Sequence, residues 1–210
     1  MLSGNILTRK RKTKAPCPNC FLHLDLCLCS LIPILNLKTK VSMVIHHKEL
    51  KRTSNTGQLA LKSLINSNLR VRGLKDSPLE LGDLLTDEYE TLLLFPSSNA
   101  EVLTPELAQN IKKKIQIIVP DGNWRQASKV NTRYKELANI KRVKVARVGT
   151  DPYHLRAETT QDGMATLQAI AYALGAIEGE EVQDQLLKLY DEKLVRTLVG
   201  RGKLPLSSIK

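Results

Sequence analysis

Residues 115–124 read IQIIVPDGNW, an apolar run followed by an acid, a glycine, an amide and the single tryptophan of the chain. The run 115–119 predicts a buried β-strand, because it is short, apolar and rich in isoleucine and valine. Ligands of open parallel sheets bind beyond the carboxyl ends of strands, so the loop 120–124 is a candidate site. The alternative is that Asp121 caps the next helix and Trp124 fills the core.

Further short apolar runs outside this loop predict three more strands, at 41–45, 92–95 and 143–148. Helical patterns separate or follow them at 56–66, from Thr104-Pro105-Glu106 onward, at 125–138, and as two helices within 161–198 that break near 175–179. Strands that alternate with helices indicate an α/β fold, with a mostly parallel sheet covered by helices on both faces.

Four loops follow the predicted strands, at 46–49, 95–98, 120–124 and 151–156. Histidines such as His46 and His47 serve more often in packing or phosphate contact than in catalysis. The stretch 54–57 predicts a turn and a helix cap. We do not expect a nucleophilic serine there, because no histidine–acid pair is placed to activate it.

All four cysteines lie in one short segment, with the spacing C-x2-C-x6-C-x-C: Cys17, Cys20, Cys27 and Cys29. Two closely spaced thiolate pairs can surround a tetrahedral zinc ion, and cytosolic proteins seldom keep disulfides. Free buried thiols, or disulfides in a secreted protein, are the alternatives, and His23 is an alternative ligand. The pattern favours a structural zinc segment over residues 15–36.

The chain of 210 residues has 32 basic and 21 acidic side chains, a net charge of +11. Residues 1–75 and 111–156 carry net charges of +12 and +9, whereas 76–110 carry −8. Such basic blocks favour a nucleic-acid partner, and 4% aromatic residues argue against a broad base-stacking platform. No apolar stretch is long enough to span a bilayer or to open a secretory signal, so we expect a cytoplasmic protein without a membrane partner.

Residues 1–14 contain several bases and no acid, which predicts a mobile arm that contacts phosphates. The bases assigned to this contact are Arg9, Lys10, Arg11 and Lys12. After this arm we predict the cysteine segment at 15–36 and an α/β domain over 37–210.

The tetrapeptide 121–124, DGNW, resembles the Asp-x-Thr-Trp signature of the DTW-domain family, the tRNA-uridine aminocarboxypropyltransferases. Other family-like pieces occur in the same order: the cysteine cluster, Ser54-Asn55-Thr56-Gly57, Phe95-Pro96-Ser97, and Tyr153-His154-Leu155-Arg156 followed by Met164-Ala165-Thr166-Leu167-Gln168-Ala169-Ile170. The resemblance covers most of 17–174. Asn123 replaces the family threonine, and Gln168 replaces a family glutamate.

The resemblance implies a SPOUT-like, knotted fold that moves the 3-amino-3-carboxypropyl group of S-adenosylmethionine to N3 of a uridine in tRNA and releases methylthioadenosine. Asp121 is the implied catalytic residue, as a general base, as the group that orients the uracil edge, or as a charge facing the sulfonium. The implied donor-binding residues are Pro96, Ser97, Gly122, Asn123, Trp124, Tyr153, Leu155, Arg156 and Thr166. His46 and Arg125 are implied tRNA contacts, and no protein partner is implied.

Two kinds of rival function remain open from the sequence. A methyltransferase or a ribosomal-RNA aminocarboxypropyltransferase could use the same scaffold. A noncatalytic, zinc-containing RNA-binding module would instead bind tRNA without any affinity for S-adenosylmethionine.

Overall fold

A six-stranded, wholly parallel sheet forms the centre of the computed structural model, which describes residues 16–146 and 164–209. The strands are β1 (Lys40–His46), β2 (Ser67–Arg72), β3 (Tyr89–Leu94), β4 (Glu101–Val102), β5 (Lys114–Asp121) and β6 (Lys141–Lys144). Their order across the sheet is β2-β1-β5-β3-β6-β4. The predicted α/β class with a parallel sheet is therefore confirmed.

The strands predicted at 41–45 and 115–119 are confirmed within β1 and β5, and the one predicted at 92–95 overlaps β3, which ends at Leu94. The segment predicted at 143–148 overlaps β6, but this strand begins earlier, at Lys141, and ends at Lys144. Residues 147–148 lie outside the described residues. The sequence patterns missed β2 and β4, because β2 is polar and only partly buried and β4 has two exposed residues.

Five α-helices accompany the strands in the described part of the chain: α1 (Gly57–Ser63), α2 (Pro105–Gln109), α3 (Trp124–Arg133), α4 (Thr166–Glu178) and α5 (Glu180–Gly200). The predicted start of α2 is confirmed, since Thr104 Oγ1 accepts a hydrogen bond from the N–H of Leu107 ahead of Pro105. The predicted break of the last helical segment is Gly179, whose φ of +114° favours glycine.

Two of the predicted helices end earlier than expected. Helix α1 ends at Ser63 because the chain then pairs with Leu35, whose N–H donates to the Ser63 carbonyl. Helix α3 ends at Arg133 and is followed by a separate 3-10 turn at Lys135–Leu137.

Apolar side chains cover both faces of the sheet, since successive residues of a strand point to opposite sides. Leu92 and Ile117 belong to the core that includes α1, α2, α4 and α5, whereas Leu93 and Ile118 pack with α3. The expectation of helices on both faces is confirmed. Among the described residues, no helix combines the length and the apolar character that a membrane span requires.

Candidate active site and metal centre

Asp121 is the last residue of β5 and is 3% exposed. Asn55 Nδ2 donates to its Oδ2 at 2.5 Å, and Thr166 Oγ1 donates to its Oδ1 at 2.5 Å. Both partners donate, which suits the ionised carboxylate because that form only accepts. A buried acid is thus held in one orientation at the carboxyl edge of the sheet.

The loop before α1 positions these donors. Asn55 Oδ1 accepts from the N–H of Gln58 at 3.1 Å, which fixes the amide that reaches Asp121. The hydroxyl of Thr56 accepts from the N–H of Leu167 at 3.2 Å and so joins α1 to the start of α4. The predicted turn and cap at 54–57 are confirmed, and the contact between Asn55 and Asp121 is one that sequence reasoning missed.

Gly57 allows the close approach of three elements at this point. A Cβ atom on Gly57 would lie 2.5 Å from Met43 Sδ, 3.1 Å from Thr166 Cγ2 and 3.3 Å from Asp121 Cγ. The first distance is shorter than van der Waals contact permits, so a larger residue would displace the side chain of Met43 and crowd those of Thr166 and Asp121.

Asn123, rather than Asp121, caps α3. Its Oδ1 accepts from the N–H of Gln126 at 2.9 Å, and Gln126 Oε1 accepts from the N–H of Asn123 at 2.9 Å, which forms a capping box. Gly122 has a φ of +149°, and a Cβ there would lie 2.7 Å from Gln126 Oε1. The alternative that Asp121 is the helix cap is therefore wrong.

Trp124 lies on the surface and does not fill the core. Its side chain is 57% exposed and stacks on buried Phe95, with ring centroids 5.3 Å apart and planes at 27°. The alternative that Trp124 plugs the core is wrong. The stack joins the ends of the neighbouring strands β3 and β5, and the exposed indole can stack on a planar heterocycle.

The other site residues predicted from the sequence differ in their exposure, and some lie outside the described part of the chain. Pro96 is exposed and Ser97 is partly buried beside the Trp124 loop; Ser97 Oγ donates to Asn99 Oδ1 at 2.7 Å. His46 is partly buried at the end of β1, and Arg125 is exposed on α3. Several predicted residues lie outside the described residues: Arg9, Lys10, Arg11, Lys12, Tyr153, Leu155 and Arg156.

Both departures from the family signature fall at helix starts. Gln168 Oε1 accepts from the N–H of Ala165 at 3.2 Å, a bond that a glutamate in the same place would also accept. Asn123 uses its side-chain oxygen as a cap, as threonine does. The two replacements therefore keep the local hydrogen bonding that begins α3 and α4.

The four cysteine sulfurs form a compact cluster in which all Sγ atoms lie within 4.8 Å of one another. Cys17 Sγ lies 3.6 Å from the Sγ atoms of Cys27 and Cys29, and Cys20 Sγ lies 3.9 Å from that of Cys27. Sulfurs about 2.3 Å from a tetrahedral zinc lie about 3.8 Å apart, so the cluster fits this ion. None of the four is in a disulfide.

Hydrogen bonds prepare one thiol for metal binding, and His23 is engaged elsewhere. The backbone N–H groups of Cys20 and Asn19 lower the pKa of Cys17 from 9.0 to about 6, which favours the thiolate that zinc requires. Burial raises the pKa of Cys29 to about 12. His23 Nδ1 accepts from the N–H of Asp25 at 3.3 Å, and the histidine is not part of the sulfur cluster.

Lys193 of α5 connects this cluster to the rest of the molecule. Its side chain is 1% exposed, and its Nζ donates to the carbonyl oxygen of Cys20 at 2.7 Å. Burial lowers its pKa to about 8. Leu22 and Leu28 of the cysteine segment pack in the same core as α4 and α5.

Replacing Lys193 by Ala is expected to lower the free energy of unfolding by about 1–3 kcal/mol, because the buried carbonyl of Cys20 loses its donor. Urea unfolding followed by circular dichroism measures the change. Lys188, exposed on the same helix, is the matched control, and K188A should stay within about 0.5 kcal/mol of the unsubstituted chain. Equal stability of the two variants would show that Lys193 does not stabilise the connection between the cysteine cluster and α5.

The geometry defines a class of protein: a parallel α/β domain with a buried acid at the carboxyl edge of its sheet, joined to a four-cysteine cluster. A family model described as the DTW domain matches residues 14–198. This match covers most of the chain, and the chain belongs to the DTW-domain family.

Relatives of known name agree with this membership. The chain is 25% identical over 183 residues to tRNA-uridine aminocarboxypropyltransferase 2 of Macaca fascicularis, covering 84% of this chain and 61% of the relative. It is 26% identical over 179 residues to the Mus musculus protein of the same name, with 82% and 60% covered. The Drosophila melanogaster protein of that name is 27% identical over 177 residues, with 81% and 70% covered. The chain thus spans about three fifths of the mammalian relatives.

Among solved structures, the SAM-dependent rRNA:acp-transferase Tsr3 from Vulcanisaeta distributa superposes with a TM-score of 0.48. Its sequence identity to this chain is 17%, and the superposition covers 78% of this chain and 79% of that one.

Proposed function

We propose that this chain transfers the 3-amino-3-carboxypropyl group of S-adenosylmethionine to N3 of a uridine in tRNA. Membership of the DTW-domain family and the names of the relatives support this reaction. The observation that carries the proposal is the carboxylate of Asp121, held by Asn55 and Thr166 at the end of β5 inside the family signature.

The reaction requires orientation above all. When bound, the donor supplies electrophilic carbons activated by its sulfonium, and the protein must aim N3 at the aminocarboxypropyl carbon rather than at the methyl group. The new N–C bond forms as the C–S bond breaks, and the electron pair stays on the sulfur of methylthioadenosine. The N3 proton must leave, and Asp121 is proposed to accept it or to orient the uracil edge. A third role is to face the sulfonium.

The residues proposed to bind the donor come from the ends of two neighbouring strands. The loops after β3 and β5 supply Pro96, Ser97, Gly122 and Asn123, and the exposed indole of Trp124 suits a planar adenine. Thr166 acts through Asp121, to which its hydroxyl donates.

The remaining donor-binding residues proposed from the family resemblance are Tyr153, Leu155 and Arg156. Arg156 is assigned to the carboxylate of the donor or to a tRNA phosphate, since its planar fork suits either anion.

The cysteine cluster is proposed to hold a structural zinc ion. Its four thiolates would complete a tetrahedral shell, which leaves no coordination position for substrate. We propose a zinc segment at 15–36, between a basic arm at 1–14 and a catalytic domain at 37–210. A cytoplasmic location suits thiols that must stay reduced, and the family resemblance supports a knotted, SPOUT-like path for the domain.

The proposed RNA contacts follow the positive charge. The basic arm, with Arg9 to Lys12, joins His46 and Arg125 at the carboxyl edge of the sheet as contacts to tRNA phosphates. Each neutralised phosphate releases counterions, so affinity should fall steeply as salt rises.

Incubating tRNA with the protein and S-adenosylmethionine, followed by mass spectrometry of the nucleosides, tests the reaction. We expect an aminocarboxypropyl-uridine and an equal amount of methylthioadenosine. Donor labelled in the methyl group should leave tRNA unlabelled; label in the RNA would instead establish a methyltransferase. Modification of ribosomal RNA but not tRNA would establish the other enzymatic rival. Binding of tRNA without calorimetric binding of the donor would establish the noncatalytic module.

A further inference from the structure

Arg72, the last residue of β2, is 7% exposed. Its Nε atom is buried and has no hydrogen-bond partner in the part of the chain that the structure describes. Nor does any described acid form an ion pair with this side chain. A buried donor of a charged group is costly unless an acceptor satisfies it, so the unpartnered Nε makes Arg72 a candidate for binding an anion.

His46 lies directly beside Arg72 at the same edge of the sheet. The two residues are register partners in the parallel pair of β1 and β2, so their side chains point to the same face. His46 Nδ1 accepts from the N–H of Lys48 at 3.2 Å, which leaves Nε2 as the donor of the neutral ring. Nε2 lies 3.0 Å from the place of a Cβ on Gly73, a glycine with a φ of +84°.

Among the described residues around His46, positively charged side chains outnumber acidic ones. Burial and then the charges of Arg72, His47 and Lys48 lower the pKa of His46. The opposing acid, Glu49, already pairs with Arg52 at 3.2 Å. The cations here repel one another, and a bound anion would relieve that repulsion.

Helix α3 adds further cations from the same face of the sheet. Val44 of β1 packs with Ala127 and Val130 of α3, and His46, two residues after Val44, points to that same side. The pKa of Lys129 is lowered, and the largest cause is the charge of Arg133. Burial, the charge of Arg125 and the charge of Arg72 follow in that order. Lys129 precedes Val130 on this helix, which packs over the face of the sheet to which His46 and Arg72 point.

We propose that Arg72, His46 and Lys129 form a binding site for a phosphate of the tRNA backbone. This inference rests on the proposed function and adds the face of the sheet over which the RNA passes. The flat guanidinium group presents paired donors that match phosphate oxygens, and it is charged at every physiological pH. Asp121 points to the opposite face, toward α1 and α4. The proposed phosphate site and the acid therefore lie at the same carboxyl edge of the sheet, on opposite faces.

The test compares Arg72→Met with Arg70→Met in tRNA binding measured by fluorescence anisotropy over a salt series. Arg70 lies on the same strand and face, but its guanidinium group already pairs with Asp83. We expect R72M to weaken binding about 10-fold or more and to reduce the slope of log K against log salt by about one phosphate contact. R70M should stay within about 2-fold with an unchanged slope.

Lys129→Gln, on the partly exposed surface of α3, provides a second variant in case R72M does not fold. It should also reduce the salt slope, by somewhat less than Arg72→Met. Wild-type affinity and slope in folded R72M and K129Q would overturn the site, whatever the activity of the chain. Loss of binding in both variants of a chain that transfers nothing to tRNA would instead support the site and reject the proposed reaction.

Discussion

Asparagine in place of Asp121 is expected to slow transfer to tRNA by about 100-fold to 10,000-fold, the usual contribution of a positioned acid or base. The amide keeps the size of the side chain but removes its charge. It also brings an N–H2 group against the donors Asn55 and Thr166, so the fixed orientation is lost. Single-turnover rates with saturating tRNA and donor measure the effect. The affinity for tRNA should change less than about 2-fold, because Asp121 is buried and carries no phosphate contact.

Asp83→Asn is the matched control for this experiment. Its carboxylate is 63% exposed and pairs with Arg70 away from the site, so its loss should leave the rate unchanged. Thr166→Val removes one of the donors to Asp121 that the described residues supply while retaining the acid, and a lower kcat at an unchanged KM would mark Thr166 as a positioning residue. Normal turnover by the Asp121→Asn variant would remove this acid from the chemistry.

Serine in place of Cys17 is expected to abolish a zinc content of about one ion per chain. The pKa of the Cys17 thiol is already lowered to about 6, and a serine hydroxyl does not supply the thiolate that the metal needs. Structural zinc contributes about 10–16 kcal/mol of apparent binding free energy in small zinc domains, so its loss should unfold the cysteine segment and lower the Tm. Elemental analysis and thermal unfolding of chain purified without chelators measure both effects.

Ser30→Ala provides the control within the same segment, because Ser30 is exposed and is not one of the clustered residues. It should keep the zinc and the Tm of the unsubstituted chain. A natural chain that contains no metal after purification without chelators would refute the metal centre and leave the four cysteines as free thiols, two buried and two partly buried.

The sequence patterns predicted the buried strands well and the edge strands poorly. Strand β5 is buried from Ile115 to Asp121 and consists mostly of apolar residues, so its position could be read directly from the sequence. Strand β2 is held by pairing with β1 along one side; its residues Asn68 and Arg70 are partly buried, and Arg72 at its end is buried. Such an edge strand carries no apolar run, because one side of it has no strand to pack beside.

Part of the candidate site could likewise be predicted from the sequence, and part of it could not. The clustered spacing of the cysteines and the DGNW loop are local patterns, so the clustering of the four thiols and the position of the acid could be predicted without coordinates. The partners of the acid could not, because Asn55 and Thr166 lie 66 and 45 residues away along the chain. The role proposed for Arg72 could not be predicted either, because it depends on the pairing of β2 with β1.

From its order of residues alone, then, this protein revealed its family likeness, its alternation of strands and helices, and a loop where an acid meets a strand end. These properties depend on neighbours in sequence and on the period of apolar residues. Which polar groups surround Asp121, and which face of the sheet gathers cations, depended on crossovers that bring distant strand ends to one edge. Only tertiary structure decides such contacts, because parallel pairing joins segments that local preferences do not relate.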